Sequence, residues 1–151
     1  MSQSLSRVYV HLTYGTKNRF PFINERYGKQ LHPYVSGILK NLESPALVIN
    51  SMPDHIHILF RLSKNYALSK VVEEVKKSSS MYLKTLNKDL SSFAWQGGFG
   101  AFSVSSSKVE VVRKYIENQK EHHRKKTYRE EVEEFLRSYD VEEYDPDYFW
   151  R

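Results

Sequence analysis

Apolar and polar residues alternate along "RVYVHLTY" (7–14): Val8, Val10 and Leu12 fall on one side, Tyr9, His11 and Thr13 on the other. A period of two predicts a half-buried strand. The loop "TKNRFPFI" (16–23), punctuated by Pro21, leads to a helix predicted over 24–42. There Asn24 suits an N-cap, and Tyr27, Leu31, Val35, Ile38 and Leu42 recur at helical spacing. Pro33, inside this run, predicts a kink or a late start. "PALVINS" (45–51) and "HIHILFRL" (55–62) read as two strands, joined through the turn Met52-Pro53-Asp54 into a hairpin. Residues 67–87 predict a second helix, with Leu68, Val72, Val75, Ser79, Tyr82 and Leu86 as its buried stripe. The glycine-rich "WQGGFGAFSVS" (95–105) turns strand-like, with Phe102 and Val104 on one side and Ala101, Ser103 and Ser105 on the other. A third helix, polar and basic, is expected over 108–126, and a short one near 129–138 before an aromatic end.

The order β–α–β–β–α–β is that of a ferredoxin-like α+β fold, an antiparallel sheet with its helices on one face. An additional C-terminal helix carries Tyr115. The second face is then open for a site or a partner. The 151 residues fit one domain, 1–126, with 127–151 as an acidic tail rather than a second domain.

Composition narrows the setting. There is no cysteine, which excludes disulfides and thiolate ligands and suits a reducing cytoplasm. No apolar run approaches the roughly 18–20 residues of a membrane span, and "MSQSLSRVYV" lacks the pattern of a secretory signal. The net charge of +5 is unevenly placed. Residues 1–126 hold 20 Lys/Arg against 9 Asp/Glu, and residues 127–151 hold 3 against 9. A basic body points to a polyanionic partner, nucleic acid first.

Strand periodicity puts His55, His57, Leu59 and Arg61 on one face and the apolar Ile56, Ile58, Phe60 and Leu62 on the other. The apolar set belongs under the helices, so the histidines take the open face. Residues two apart on a strand lie about 6–7 Å apart, close enough for both imidazoles to reach one ion. Two solvent-facing histidines that bond locally fit the same spacing. In the last basic helix, Tyr115 and Gln119 share a face at i and i+4, with His122 and His123 a turn further on. Tyrosine is a competent nucleophile once activated. Its ordinary pKa near 10 calls for a metal, a base or nearby cations such as Arg113, Lys114 and Lys120. "GGFG" (97–100) lacks the Lys-Ser/Thr of a phosphate-binding loop and suits a turn.

Taken together, "PDHIHILF", "WQGGFGAFSVS" and "VRKYIENQKEHH", in that order, resemble the single-tyrosine HUH transposases of the smallest bacterial insertion sequences, the insertion sequence 200/605 family. The resemblance spans roughly residues 5–125, with Ile56 as the hydrophobic U. It implies Tyr115 as nucleophile and His55, His57 and Gln119 as ligands of Mg²⁺ or Mn²⁺. It also implies hairpin-bearing single-stranded DNA as substrate, a 5′-phosphotyrosine intermediate, a free 3′-OH and a homodimer. The setting would be a bacterial or archaeal cytoplasm, on the nucleoid. Asp54 and His11 are candidates for supporting the ligands. Lys76, Lys77, Arg113, Lys114, Lys120, Arg124, Lys125 and Lys126 are candidate DNA contacts. Tyr14, Phe20, Trp95 and Phe99 suit packing better than base stacking.

A metal-dependent hydrolase without a covalent step is a rival enzyme, and two further alternatives remain. One is a non-catalytic ferredoxin-like module for single-stranded nucleic acid, although the third strand lacks the aromatics such modules stack bases on. The other is a domesticated relative acting on repeated palindromes. The charge split predicts that the acidic tail is an inhibitory lid on basic surface. Deleting 127–151 should then tighten DNA binding, and unchanged affinity at matched salt would remove the idea.

Overall fold

The computed structural model describes residues 2–151. Strands β1 (Val8–Gly15), β2 (Ala46–Met52), β3 (His55–Leu62) and β4 (Gly100–Val104) form one sheet in the order β2-β3-β1-β4. Every pairing is antiparallel. This is the ferredoxin-like arrangement expected from the element order. Helices α1 (Glu25–Asn41) and α2 (Leu68–Leu86) lie on one face. Val10, Leu12 and Tyr14 of β1 and Ile56, Ile58 and Phe60 of β3 bury against Leu31, Val35 and Leu39 of α1 and Val71, Val72, Val75 and Leu83 of α2. The stripes are shifted from expectation: Leu39 and Leu83 sit at the centre, while Ile38, Leu42, Leu68 and Leu86 pack at the margin. Tyr82 instead stacks on Tyr34. Val8, at the strand end, is exposed.

Asn24 caps α1 as its sequence suggests, accepting from the Tyr27 amide. Pro33 neither delays nor divides the helix, which runs unbroken through it. Pro33 faces solvent, so water can take the carbonyl that its missing N–H would have served. The β2–β3 hairpin turns on two residues, Pro53 and Asp54.

The largest departures lie beyond β4. The basic stretch is not one helix over 108–126. Helix α3 (Val109–Glu117) breaks at Asn118, and α4 (Gln119–His122) follows. Asn50 of β2 donates to the Ile116 carbonyl at 2.8 Å, drawing a late α3 carbonyl to the sheet. The acidic segment then folds as α5 (Tyr128–Ser138), opened by a capping box between Thr127 and Glu130, and a final turn α6 (Pro146–Phe149).

The second face of the sheet is therefore covered. Leu59, Val104 and Ile116 form one apolar cluster on it, and Phe102 packs with Tyr128, Val132 and Leu136 of α5 in another. An open face carrying Leu59, Phe102 and Val104 would expose a contiguous apolar patch, which is why α3 and α5 pack down on it. Gln96, of the Trp-Gln-Gly-Gly run, ties the ends together. Its side-chain oxygen accepts from the Gly15 amide at 2.6 Å and its nitrogen donates to the Phe149 carbonyl. A methyl group at Gly15 would sit 3.2 Å from both the Asp54 carbonyl and that Gln96 oxygen, so only glycine fits without displacement. Among the described residues no helix is long and apolar enough to cross a membrane.

Truncating Phe102 reports whether α5 is docked. Phe102→Ala should cost about 3–5 kcal/mol in urea unfolding if the second face is buried. A cost below about 1 kcal/mol would mean that α5 leaves this face in water.

Candidate active site

His55 and His57 do share the second face, but they do not face solvent. Both are buried, at 1% and 0% exposure. Each has its outer nitrogen held from behind. His55 Nδ1 bonds the Asp54 carboxylate at 2.7 Å, and His57 Nδ1 meets His11 Nε2 at 2.8 Å. Asp54 and His11 thus stand directly behind the two imidazoles. Both Nε2 atoms point into the space between β3 and the C-terminal helices.

Tyr115 and Gln119 arrive there from the other side, across the break at Asn118. Gln119 is fully buried, and its Oε1 lies 3.4 Å from His55 Nε2 and 2.8 Å from His123 Nε2. The Tyr115 ring centre is 6.1 Å from that of His57 and its hydroxyl is 3.2 Å from His122 Nε2. All of these residues come together within the one chain.

At the centre stands a residue that the sequence motifs did not single out. Glu131 of α5 is 1% exposed. Its Oε1 lies 3.0 Å from His57 Nε2, 3.3 Å from His123 Nε2 and 3.9 Å from His55 Nε2. Its Oε2 accepts from Gln119 Nε2 at 3.0 Å and from the Tyr115 hydroxyl. A signal for it exists in hindsight. Thr127 and Glu130 mark a helix start, and Tyr128, Val132 and Leu136 make an apolar stripe at i, i+4 and i+8. Glu131 lies on that stripe, an acid where burial demands a partner.

The electrostatics follow from this crowding. Burial lowers His57 to about 4, against the pull of the Glu131 hydrogen bond and charge. Burial and the charge of His57 lower His11 to about 3. Burial would raise Glu131, but hydrogen bonds from His123 and His57 hold it well below the carboxylate range. Burial and the Glu131 charge push Tyr115 far above an ordinary tyrosine. Burial alone would lower His123; its bond to Glu131 outweighs that and leaves it raised.

Four of these groups, His55, His57, His123 and Glu131, bring ligand atoms within 4.8 Å of one another, the spread of a metal site. The donor set suits a divalent ion: imidazole nitrogens, one amide oxygen and one carboxylate. Beside His55 and His123 opens a groove of about 450 Å³, with Arg19 and Lys126 along it.

The candidate DNA contacts are scattered. The Lys76 ammonium is committed to the carbonyls of Gln96 and Gly98, and with Lys77 it lies on α2, across the sheet from the histidines. Burial lowers Lys76 to about 8. Arg113 donates to the Leu47 carbonyl at 2.7 Å. Lys114 and Lys125 are exposed. Lys120 lies 4.0 Å from Glu25, Arg124 pairs with Glu121 and Lys126 with Glu134. Tyr14 and Trp95 are core residues, Phe99 packs at the core margin, and Phe20 is exposed.

The family model described as transposase IS200-like matches residues 4–119 of this chain. The chain belongs to the IS200-like transposase family. The matched region holds His55, His57, Tyr115 and Gln119, and ends before His123 and Glu131. No curated protein matches the sequence. Among solved structures, a transposase candidate from Deinococcus radiodurans R1 aligns with a TM-score of 0.62 at 19% identity, over 79% of this chain and 98% of that one. A REP-associated tyrosine transposase bound to a REP hairpin aligns with a TM-score of 0.60 at 16% identity, over 82% of this chain and 74% of that one. Both likenesses are of fold. This IS200-like transposase thus has the family's fold with a buried carboxylate at its centre.

A stability prediction follows for the metal-free transposase. His11 and His57 are depressed below their ordinary 6.5, so the unfolded chain binds their protons first as pH falls. Their contribution is intact above pH 6.5 and is lost as pH falls, to about 4 for His57 and to about 3 for His11. Glu131 has the same sign below its ordinary 4.5; the raised His123 has the opposite one. The melting temperature in EDTA should fall steadily from pH 7 to pH 4. A flat or rising profile would contradict the buried, neutral imidazoles.

Proposed function

We propose that this transposase nicks and rejoins single-stranded DNA through a covalent bond to Tyr115. The supporting observation is the meeting of Tyr115, His55, His57 and Gln119 in one buried cluster within one chain. The Tyr115 hydroxyl oxygen attacks a backbone phosphorus. An O–P bond forms to the tyrosine, the P–O3′ bond breaks, and the released strand keeps a free 3′-OH. The 5′-phosphotyrosine retains the energy of the phosphodiester, so a second 3′-OH can displace Tyr115 without ATP.

His55, His57 and Gln119 would hold a divalent ion, Mg²⁺ or Mn²⁺. When bound, that ion supplies polarisation of the scissile phosphate and neutralisation of its developing charge. Asp54 and His11 fix the directions of the two imidazoles. Glu131 and His122 are the groups within reach of the Tyr115 proton. Arg19 and Lys126, along the groove, offer positive charge to a strand approaching His55. Hairpin-bearing element ends are the proposed substrates, in line with the hairpin-bound structural neighbour. A homodimer would serve to hold two ends together.

The test is incubation with hairpin-bearing single-stranded DNA and Mn²⁺. Wild type should give a protein–DNA adduct on a denaturing gel, and Tyr115→Phe none. Cleavage that survives Tyr115→Phe would sink the tyrosine mechanism. Binding without cleavage, indifferent to EDTA, would favour a non-catalytic binding module.

A further inference from the structure

We propose that Glu131 and His123, both outside the transposase motifs, are ligands of the divalent cation, and that Glu131 also joins that cation to the nucleophile. The proposal rests on the metal-dependent function above and adds two ligands to it.

The argument is one of protons. His55 Nδ1 faces the Asp54 carboxylate at 2.7 Å, and His123 Nδ1 faces the Lys126 carbonyl at 2.7 Å. Neither oxygen has a proton to give, so both Nδ1 atoms carry the hydrogen and donate. Both Nε2 atoms point inward and are the ring nitrogens placed to ligate a cation. Each lies against an oxygen that can ligate the same cation. His55 Nε2 lies 3.4 Å from Gln119 Oε1, and His123 Nε2 lies 2.8 Å from that oxygen and 3.3 Å from Glu131 Oε1. Without a metal, protons on His57 and His123 are shared with Glu131; a divalent cation between the gathered ligand atoms would satisfy all of them at once. An imidazole fixed from behind by a carboxylate or a backbone carbonyl is also how metal-binding histidines are commonly held.

The charge count agrees. Glu131 is buried with no lysine or arginine within ion-pair distance; its ion-pair partners are four histidines. His55, His57 and Gln119 alone would be a neutral set, poorly matched to a hard divalent ion, which favours oxygen ligands. Glu131 supplies the missing anionic oxygen. Its two oxygens are divided between tasks: Oε1 faces His55, His57 and His123, while Oε2 accepts from Tyr115 and Gln119 and lies 3.4 Å from His122. One carboxylate would thereby link the nucleophile to the cation, and the acidic C-terminal segment would contribute a ligand to the centre.

The test is calorimetric titration of the EDTA-stripped full-length protein with Mn²⁺ alone. Wild type should bind one ion. Glu131→Gln and His123→Ala should each weaken binding at least about tenfold, and His55→Ala should abolish it. Unchanged or tighter binding in Glu131→Gln, with loss in His55→Ala, overturns the Glu131 assignment and leaves the metal-dependent function standing. No binding by wild type overturns both. A measurement without substitutions covers the case of a misfolded variant. Mn²⁺-loaded wild type carrying ¹³C-labelled glutamate carboxyls should show a ¹³C coupling in pulsed electron resonance, and its absence overturns the assignment.

Discussion

A carboxylate enters a protein interior only where both its oxygens find partners, because an unpaired buried charge is far costlier than any gain from packing around it. Glu131 meets that condition by gathering Tyr115, Gln119, His57 and His123 around itself. Much of the C-terminal architecture serves this arrangement. The break at Asn118 leaves Gln119 facing the histidines while Tyr115 stays one turn behind. The capping box at Thr127 starts α5 where its fourth residue can enter the cluster. Phe102, Val132 and Leu136 hold that helix down on the sheet. Apolar packing thus supplies the affinity of α5 for the sheet, and the carboxylate fixes where it sits.

The fold was legible because alternation along β1 and β3 and the two helical stripes are strong, local signals. The histidine pair was legible in the strand period; Tyr115 and Gln119 were named from the family resemblance beside their i and i+4 spacing, and the helix between them in fact breaks at Asn118. The cover on the second face was not, although Leu59, Phe102 and Val104 marked it as a surface that water would disfavour. The helix near 129–138 was expected, but the acidic composition of 127–151 concealed its buried side. Most of its charges lie on the solvent side of α5, and one, at Glu131, lies on the apolar side. Composition averages the two sides; periodicity separates them. The Asn118 break was hidden for another reason. It involves a hydrogen bond from Asn50, 66 residues away from Ile116, and no local pattern announces a partner at that distance.

The charge split between body and tail has more than one consequence. Among the exposed acids of α5, Glu134 engages Lys126 of the basic turn before the helix. That contact competes with a phosphate backbone, which is what an inhibitory lid requires. Glu131 acts differently. Its charge is sequestered from solvent, makes no claim on surface lysines and is directed at the imidazoles. On the proposed reading, a segment that carries a ligand of the metal centre stays in place when DNA arrives. The groove beside His55 and His123, with Arg19 and Lys126 along it, opens next to that centre. The acidic segment therefore flanks the basic turn through Glu134 and reaches the middle of the histidine cluster through Glu131.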